Sequence, residues 1–160
     1  MDSSVTIEGG MSSHLKDAAR KHLRTLSLEN CFGVSLTLKQ GDSVTRLDEI
    51  SASQNFRHFM NRMNSSIYGK GFKRFGKKLN VIPVLERSST NRLHYHLIFQ
   101  NPYPDDPAAF ARLIESEWAK TRFGYIQSHI DELIDHGWTD YITKFKSASD
   151  GIDWENYRWN

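Results

Sequence analysis

The chain has 160 residues, 38% of them hydrophobic, with a net charge of only +2, which is the balance of one soluble domain with a single core rather than a disordered tail. No apolar run approaches the ~20 residues that span a bilayer, and residues 1–10 lack the basic start and apolar stretch of a secretory leader, so a cytoplasmic setting without a membrane partner is the default expectation. The lone Cys31 excludes an intrachain disulfide and a cysteine-built zinc site.

In chain order, residues 14–27 place Leu15, Ala18, Ala19, Leu23 and Leu26 along one side of a short basic helix, within an expected N-terminal helical extension over residues 1–30. Cys31 to Lys39 then alternates: Phe32, Val34, Leu36 and Leu38 point one way and Gly33, Ser35, Thr37 and Lys39 the other, as in a half-buried strand. From Ser53 to Ile67, Phe56, Phe59, Met60 and Met63 recur at helical spacing, a stripe for core packing. A glycine-punctuated stretch follows in which Lys70, Lys73, Arg74, Lys77 and Lys78 occur with no acid among them. It reads as a loop, either an electrostatic footprint for phosphate or a solvated surface.

Leu79 to Arg87 predicts a second strand, with Pro83 implying an edge position or a bulge. After the polar turn from Ser88, a third strand runs from Arg92 to Phe99, with Leu93, Tyr95, Leu97 and Phe99 on one face and His94 and His96 on the other. Asp106 and Pro107 mark a helix start running to about Lys120. Phe123 to Ile130 predicts a fourth strand, Trp138, Tyr141, Ile142 and Phe145 a last helix, and the aromatic tail, residues 148–160, is expected to pack back. The whole is one α+β domain over residues 1–160, with a mainly antiparallel sheet of four to five strands and helices on one face.

Two histidines at i and i+2 on a strand project to one face and can converge on a cation. Glu86, on the preceding strand, joins them only if the hairpin register is even. Pairing Glu86 with His94 leaves a permissible loop from Ser88 to Arg92. One carboxylate and two imidazoles with other positions open describe a catalytic metal site rather than a structural one, and on ligand type alone zinc is as suitable as manganese or magnesium. Downstream, Tyr141 and Lys144 share a helix face. A tyrosine can serve as a covalent nucleophile and a neighbouring lysine can stabilise developing negative charge, although Tyr141 also lies on the apolar stripe with Trp138 and Phe145.

Taken in order, the strand Phe32–Lys39, the His94-Tyr95-His96 triplet and Tyr141-Ile142-Thr143-Lys144 resemble the HUH endonuclease superfamily, specifically its single-tyrosine Rep-type rolling-circle replication initiators, over about Cys31 to Ser147. The resemblance implies an RRM-like sheet and a Mg2+ or Mn2+ ion on His94, His96 and, less securely, Glu86. It makes Tyr141 the nucleophile that cuts single-stranded DNA at an origin or hairpin, leaving a 5′-phosphotyrosine and a free 3′-hydroxyl, with Lys144 beside the metal. Ser35, Thr37 and Lys39 on the polar strand face, with Lys70, Lys73, Arg74, Lys77 and Lys78, become the DNA contacts. No helicase domain follows, so unwinding would fall to a separate protein or a longer parent chain, and the absence of a second tyrosine beside Tyr141 argues against the two-tyrosine branch. Two alternatives remain open: a non-catalytic RRM-like module that binds single strands on exposed aromatics, and a zinc hydrolase using water. Neither gives Tyr141 and Lys144 a role.

Overall fold

Apolar alternation lays down the sheet. A computed structural model describes residues 13–133, 135–144 and 151–160, and its elements are α1 (Ser13–Arg24), β1 (Cys31–Leu38), α2 (Glu49–Tyr68), α3 (Lys70–Phe75), β2 (Val81–Arg87), β3 (Leu93–Gln100), α4 (Pro107–Ala119), β4 (Gly124–Glu132), α5 (Gly137–Ile142) and β5 (Gly151–Ile152). The five strands form one antiparallel sheet in the order β4-β1-β3-β2-β5, within the four to five strands and the α+β class expected. Phe145, assigned by its spacing to the last helix, and residues 148–150 of the tail lie outside the described residues.

One sheet face carries Phe32, Val34, Leu36, Tyr95, Leu97 and Phe99, and these pack beneath α2 (Phe56, Phe59, Met60, Met63) and α4 (Phe110, Ile114, Trp118) as the main core. The stripe read from Phe56 to Met63 is therefore core packing. Helix α2 begins earlier than its apolar spacing implies because Asp48 caps it: the Asp48 carboxylate accepts the Ser51 N–H at 2.7 Å and the Ser51 hydroxyl accepts the Asp48 N–H at 3.0 Å. Asp106 caps α4 as expected, accepting the Ala109 N–H at 3.1 Å.

Helices are not confined to one face. On the other side Ala19 and Leu23 of α1 and Ile142 of α5 pack with Cys31, Ile82, Val84, Ile98 and Ile152 in a second, smaller core, joined by Trp138, Tyr157 and Trp159. Only half of that face is therefore left polar. The tail packs back as anticipated. Asp153 accepts hydrogen bonds from the Tyr95 hydroxyl at 2.8 Å, from Ser53 Oγ at 3.1 Å and from Asn156 Nδ2 at 2.8 Å.

Two local readings change. The basic stretch is not a loop: Lys70–Phe75 is a short helix, bracketed by Gly69 (φ 50°) and Gly76 (φ 64°, left-handed), which cap its two ends. Pro83 does not sit on the outermost strand, since the two-residue β5 lies outside β2. Its carbonyl accepts the Asp153 N–H at 2.8 Å on that outer side, so its nitrogen also faces outward and the ladder to β3 loses nothing.

Candidate metal centre and nucleophile

Register decides which polar side chains meet. In the hairpin Glu86 pairs with His94 and Arg87 with Leu93, and across the sheet Thr37 pairs with His94 and Ser35 with His96. The even register is thus the one formed, and Glu86, His94, His96, Ser35 and Thr37 share the polar half of the second face. An odd register would have turned a carboxylate into the main core beside Leu93 and Tyr95.

The ligand atoms of Glu86, His94 and His96 all lie within 4.8 Å of one another, the one such group among the described residues. The two Nε2 atoms are 3.0 Å apart, and Glu86 Oε1 and Oε2 lie 3.6 Å and 3.3 Å from His94 Nε2 and His96 Nε2 respectively. With bonds of about 2.1 Å, cis ligands of an octahedral cation stand about 3.0 Å apart and those of a tetrahedral one about 3.4 Å. The triangle therefore fits a cation without choosing between the two geometries. The far sides of the rings orient the near ones. The Arg92 carbonyl accepts a long, 3.4 Å bond from His94 Nδ1–H, and that tautomer leaves the Nε2 lone pair facing the cluster. Ser35 Oγ lies 2.9 Å from His96 Nδ1, on the ring edge away from the other two groups. His96 is buried, whereas His94 and Glu86 are partly open to solvent, so a cation held here would keep positions for substrate.

Tyr141 stands beside this group. Its ring lies 5.7 Å from that of His96 and stacks on Trp138 at 5.3 Å, while Lys144 Nζ lies 5.6 Å from the Tyr141 ring centre. The stripe reading of this helix is only half right, since Ile142 is buried but Tyr141 is 40% exposed. Trp138 is the platform between helix and sheet: its indole N–H donates to the Leu97 carbonyl at 2.9 Å, and its ring covers Gly33, where a Cβ would come within 3.1 Å of two ring carbons. From behind, Arg20 of α1 donates to the Thr143 carbonyl at 2.7 Å, capping α5, and Arg24 pairs with Asp140 at 2.7 Å.

The remaining expected contacts divide. Thr37 Oγ1 is committed to the Gln127 carbonyl of β4, and exposed Lys39 lies one residue beyond β1. Lys70, Lys73, Arg74, Lys77 and Lys78 are not brought to the cluster. They precede the start of β2, whereas Glu86 lies near its end, about 16 Å along the strand. Side chains that sequence spacing did not single out share the site face instead: His129 pairs across the ladder with Ser35 and Asp131 with Gly33, and the two form an ion pair. Their alternation was visible, but not the strand beside which they would lie. Cys31 takes no part, because burial pushes its thiol up to about 11 and keeps it a neutral packing group.

Comparison with known proteins agrees with this arrangement. No curated protein and no solved structure gives a significant match. The family model for the ORF2 class of replication-associated proteins matches residues 31–152, from the start of β1 through β5 and across every side chain of the cluster and its tyrosine. The chain belongs to this ORF2 replication-associated protein family, a family of the rolling-circle Rep type.

Proposed function

We propose that this chain acts as one endonuclease domain that nicks and rejoins single-stranded DNA at an origin or hairpin to start rolling-circle replication. The observation that carries the reading is the convergence of Glu86, His94 and His96 with an exposed tyrosine ring 5.7 Å from His96. Mg2+ or Mn2+ held by those three side chains supplies Lewis-acid polarisation of the scissile phosphate. Tyr141 Oη forms a bond to phosphorus as the bond to the 3′-oxygen breaks. The phenol gives up its proton and the departing oxygen takes one up, leaving a 5′-phosphotyrosine and a free 3′-hydroxyl. Lys144, beside the ring, favours the phenolate as it forms. The 3′-hydroxyl primes synthesis, its attack on the phosphotyrosine rejoins the strand, and a separate helicase opens the duplex.

The test is a covalent adduct. Wild-type protein incubated with single-stranded DNA and Mn2+ is expected to give a DNA-linked band on a denaturing gel, and Tyr141→Phe, which removes only the phenolic oxygen, to give none while still binding DNA. Adduct persisting in Tyr141→Phe would move the nucleophile elsewhere. Cleavage without any adduct would make the protein a hydrolase that uses water.

A further inference from the structure

A second opening flanks the cluster, on the side away from Tyr141. Along β3 the tyrosine and its Trp138 platform lie toward Leu97, where the indole is anchored. At the other end a cleft of 260 Å³ is lined by Leu93, His94, Arg92, Thr37, Tyr125 and Gln127, among others. A bulge in β4 makes it. Leu36 pairs with Ser128 but Leu38 pairs with Gly124, so β4 spends four residues where β1 spends two, and the segment bearing Tyr125 and Gln127 leaves the ladder. The Thr37 hydroxyl, donating to the Gln127 carbonyl, pins the base of the bulge. Tyr125 is 43% exposed, and Arg92 and Gln127 are exposed with it.

We infer that this cleft is a base-reading subsite for the nucleotide whose oxygen leaves when Tyr141 attacks. The inference rests on Tyr141 as the nucleophile. Displacement at phosphorus is in line, with the entering and departing oxygens on opposite sides. With the tyrosine on the His96 side, the departing oxygen and its sugar lie toward His94, and the attached base meets the cleft. There Tyr125 offers an aromatic face for stacking, and Gln127 an amide that both donates and accepts toward a base edge. Arg92, at the rim, offers a fork of donors to the next phosphate. In the chemistry proposed above, this nucleotide carries the new 3′-hydroxyl. Specificity would then be set on the released strand, by residues that touch neither the cation nor the nucleophile.

The experiment uses the full chain, Mn2+ and a randomised single-stranded DNA pool, sequencing both the strands attached to protein and the released 3′-hydroxyl strands. Wild-type protein is expected to show a base preference at the terminal nucleotide of the released strands. Tyr125→Ala and Gln127→Ala should each flatten it by roughly tenfold or more, the scale of losing one base–aromatic stack or one base-edge contact. The preference on the attached strands should persist, and Tyr125→Phe, which keeps the ring, should retain both. Three results overturn the inference: no terminal preference in the wild type, a terminal preference unaltered in both alanine variants, or loss of the adduct in Tyr125→Phe, which would make Tyr125 the nucleophile. If wild-type protein forms no adduct at all, the nuclease reading fails and the subsite falls with it. That outcome is seen before any variant is made and is distinct from the other three.

Discussion

Gly33→Ala should slow the nick by displacing a ring rather than a ligand. A Cβ at this position would lie 2.8 Å from Leu133 Cδ2 and 3.1 Å from Trp138 Cδ1 and Cδ2, against about 3.5–4.0 Å for relaxed carbon contacts. The Leu133 methyl can swing aside. The indole cannot do so freely, because its N–H is held at 2.9 Å by the Leu97 carbonyl and its face stacks on Tyr141 at 5.3 Å. Relief requires the ring to lift by about half an ångström, which stretches that hydrogen bond toward the limit of useful length. Overpacking of this kind destabilises by about 1–3 kcal/mol, a fall in Tm of roughly 2–10 °C for a chain of this size. Tyr141 moves with its platform. Since a misplacement of about 1 Å can cost a hundredfold in rate, half that distance predicts a loss of roughly tenfold in adduct formation. The Mn2+ concentration for half-maximal rate should not change, because Gly33 faces Ile98 and Asp131 rather than the cluster. Single-turnover adduct formation, a Mn2+ titration and thermal melting separate these effects, and Trp138→Phe in the alanine background should restore part of the rate by making room. A Gly33→Ala protein with wild-type rate and wild-type Tm would refute the platform argument.

Glu86→Gln removes the one carboxylate of the cluster, so it should require more Mn2+ yet recover much of its rate at saturation; unaltered metal dependence would show that Glu86 does not bind the cation. Burial, aided by the Asp153 carboxylate, raises the Tyr95 phenol above its ordinary 10. Its contribution to stability is therefore fully present below pH about 10 and is lost as pH rises beyond it, and denaturant unfolding from pH 8 to 11 should show a steeper alkaline decline in wild type than in Tyr95→Phe, which is weaker at pH 7 by about 1–2 kcal/mol. Neutralising Lys73, Arg74 and Lys77 should leave binding of an oligonucleotide that covers only the sheet face unchanged. For a longer strand it should make the salt dependence shallower, by about 0.7 in log–log slope per lost phosphate contact, and an unchanged slope with the long strand would mark the patch as solvated surface.

The sheet could be read from the chain because each strand of its centre has one face that must be dry. Alternation fixed the faces of β1 and β3, and for the hairpin it also decided the register, since the alternative buries Glu86. That single inference was enough to assemble the cluster. What could not be read depended on contacts distant in sequence. The apolar side of α1 was plain, but nothing local showed that it would close over the second face with Ile82 and Ile98. The register of β4, with its bulge, joins strands nearly a hundred residues apart, so the placement of His129, Asp131 and the cleft around Tyr125 was hidden. In the basic stretch charge masked conformation: glycines that punctuate a loop and glycines that cap a helix look the same until the turn between them is formed.

The clamp formed by Arg20 and Arg24 has a further consequence for how the activity is built. The cation cluster stands on β2 and β3, inside the family-matched region 31–152, whereas the helix that presents Tyr141 is braced by α1, which precedes it. The electrophile and the nucleophile thus rest on separate foundations. Changes confined to the segment before Cys31 can retune the angle and reach of attack while leaving metal affinity as it was. A fragment trimmed to the matched boundaries would retain a cation-binding sheet and release its tyrosine from the brace.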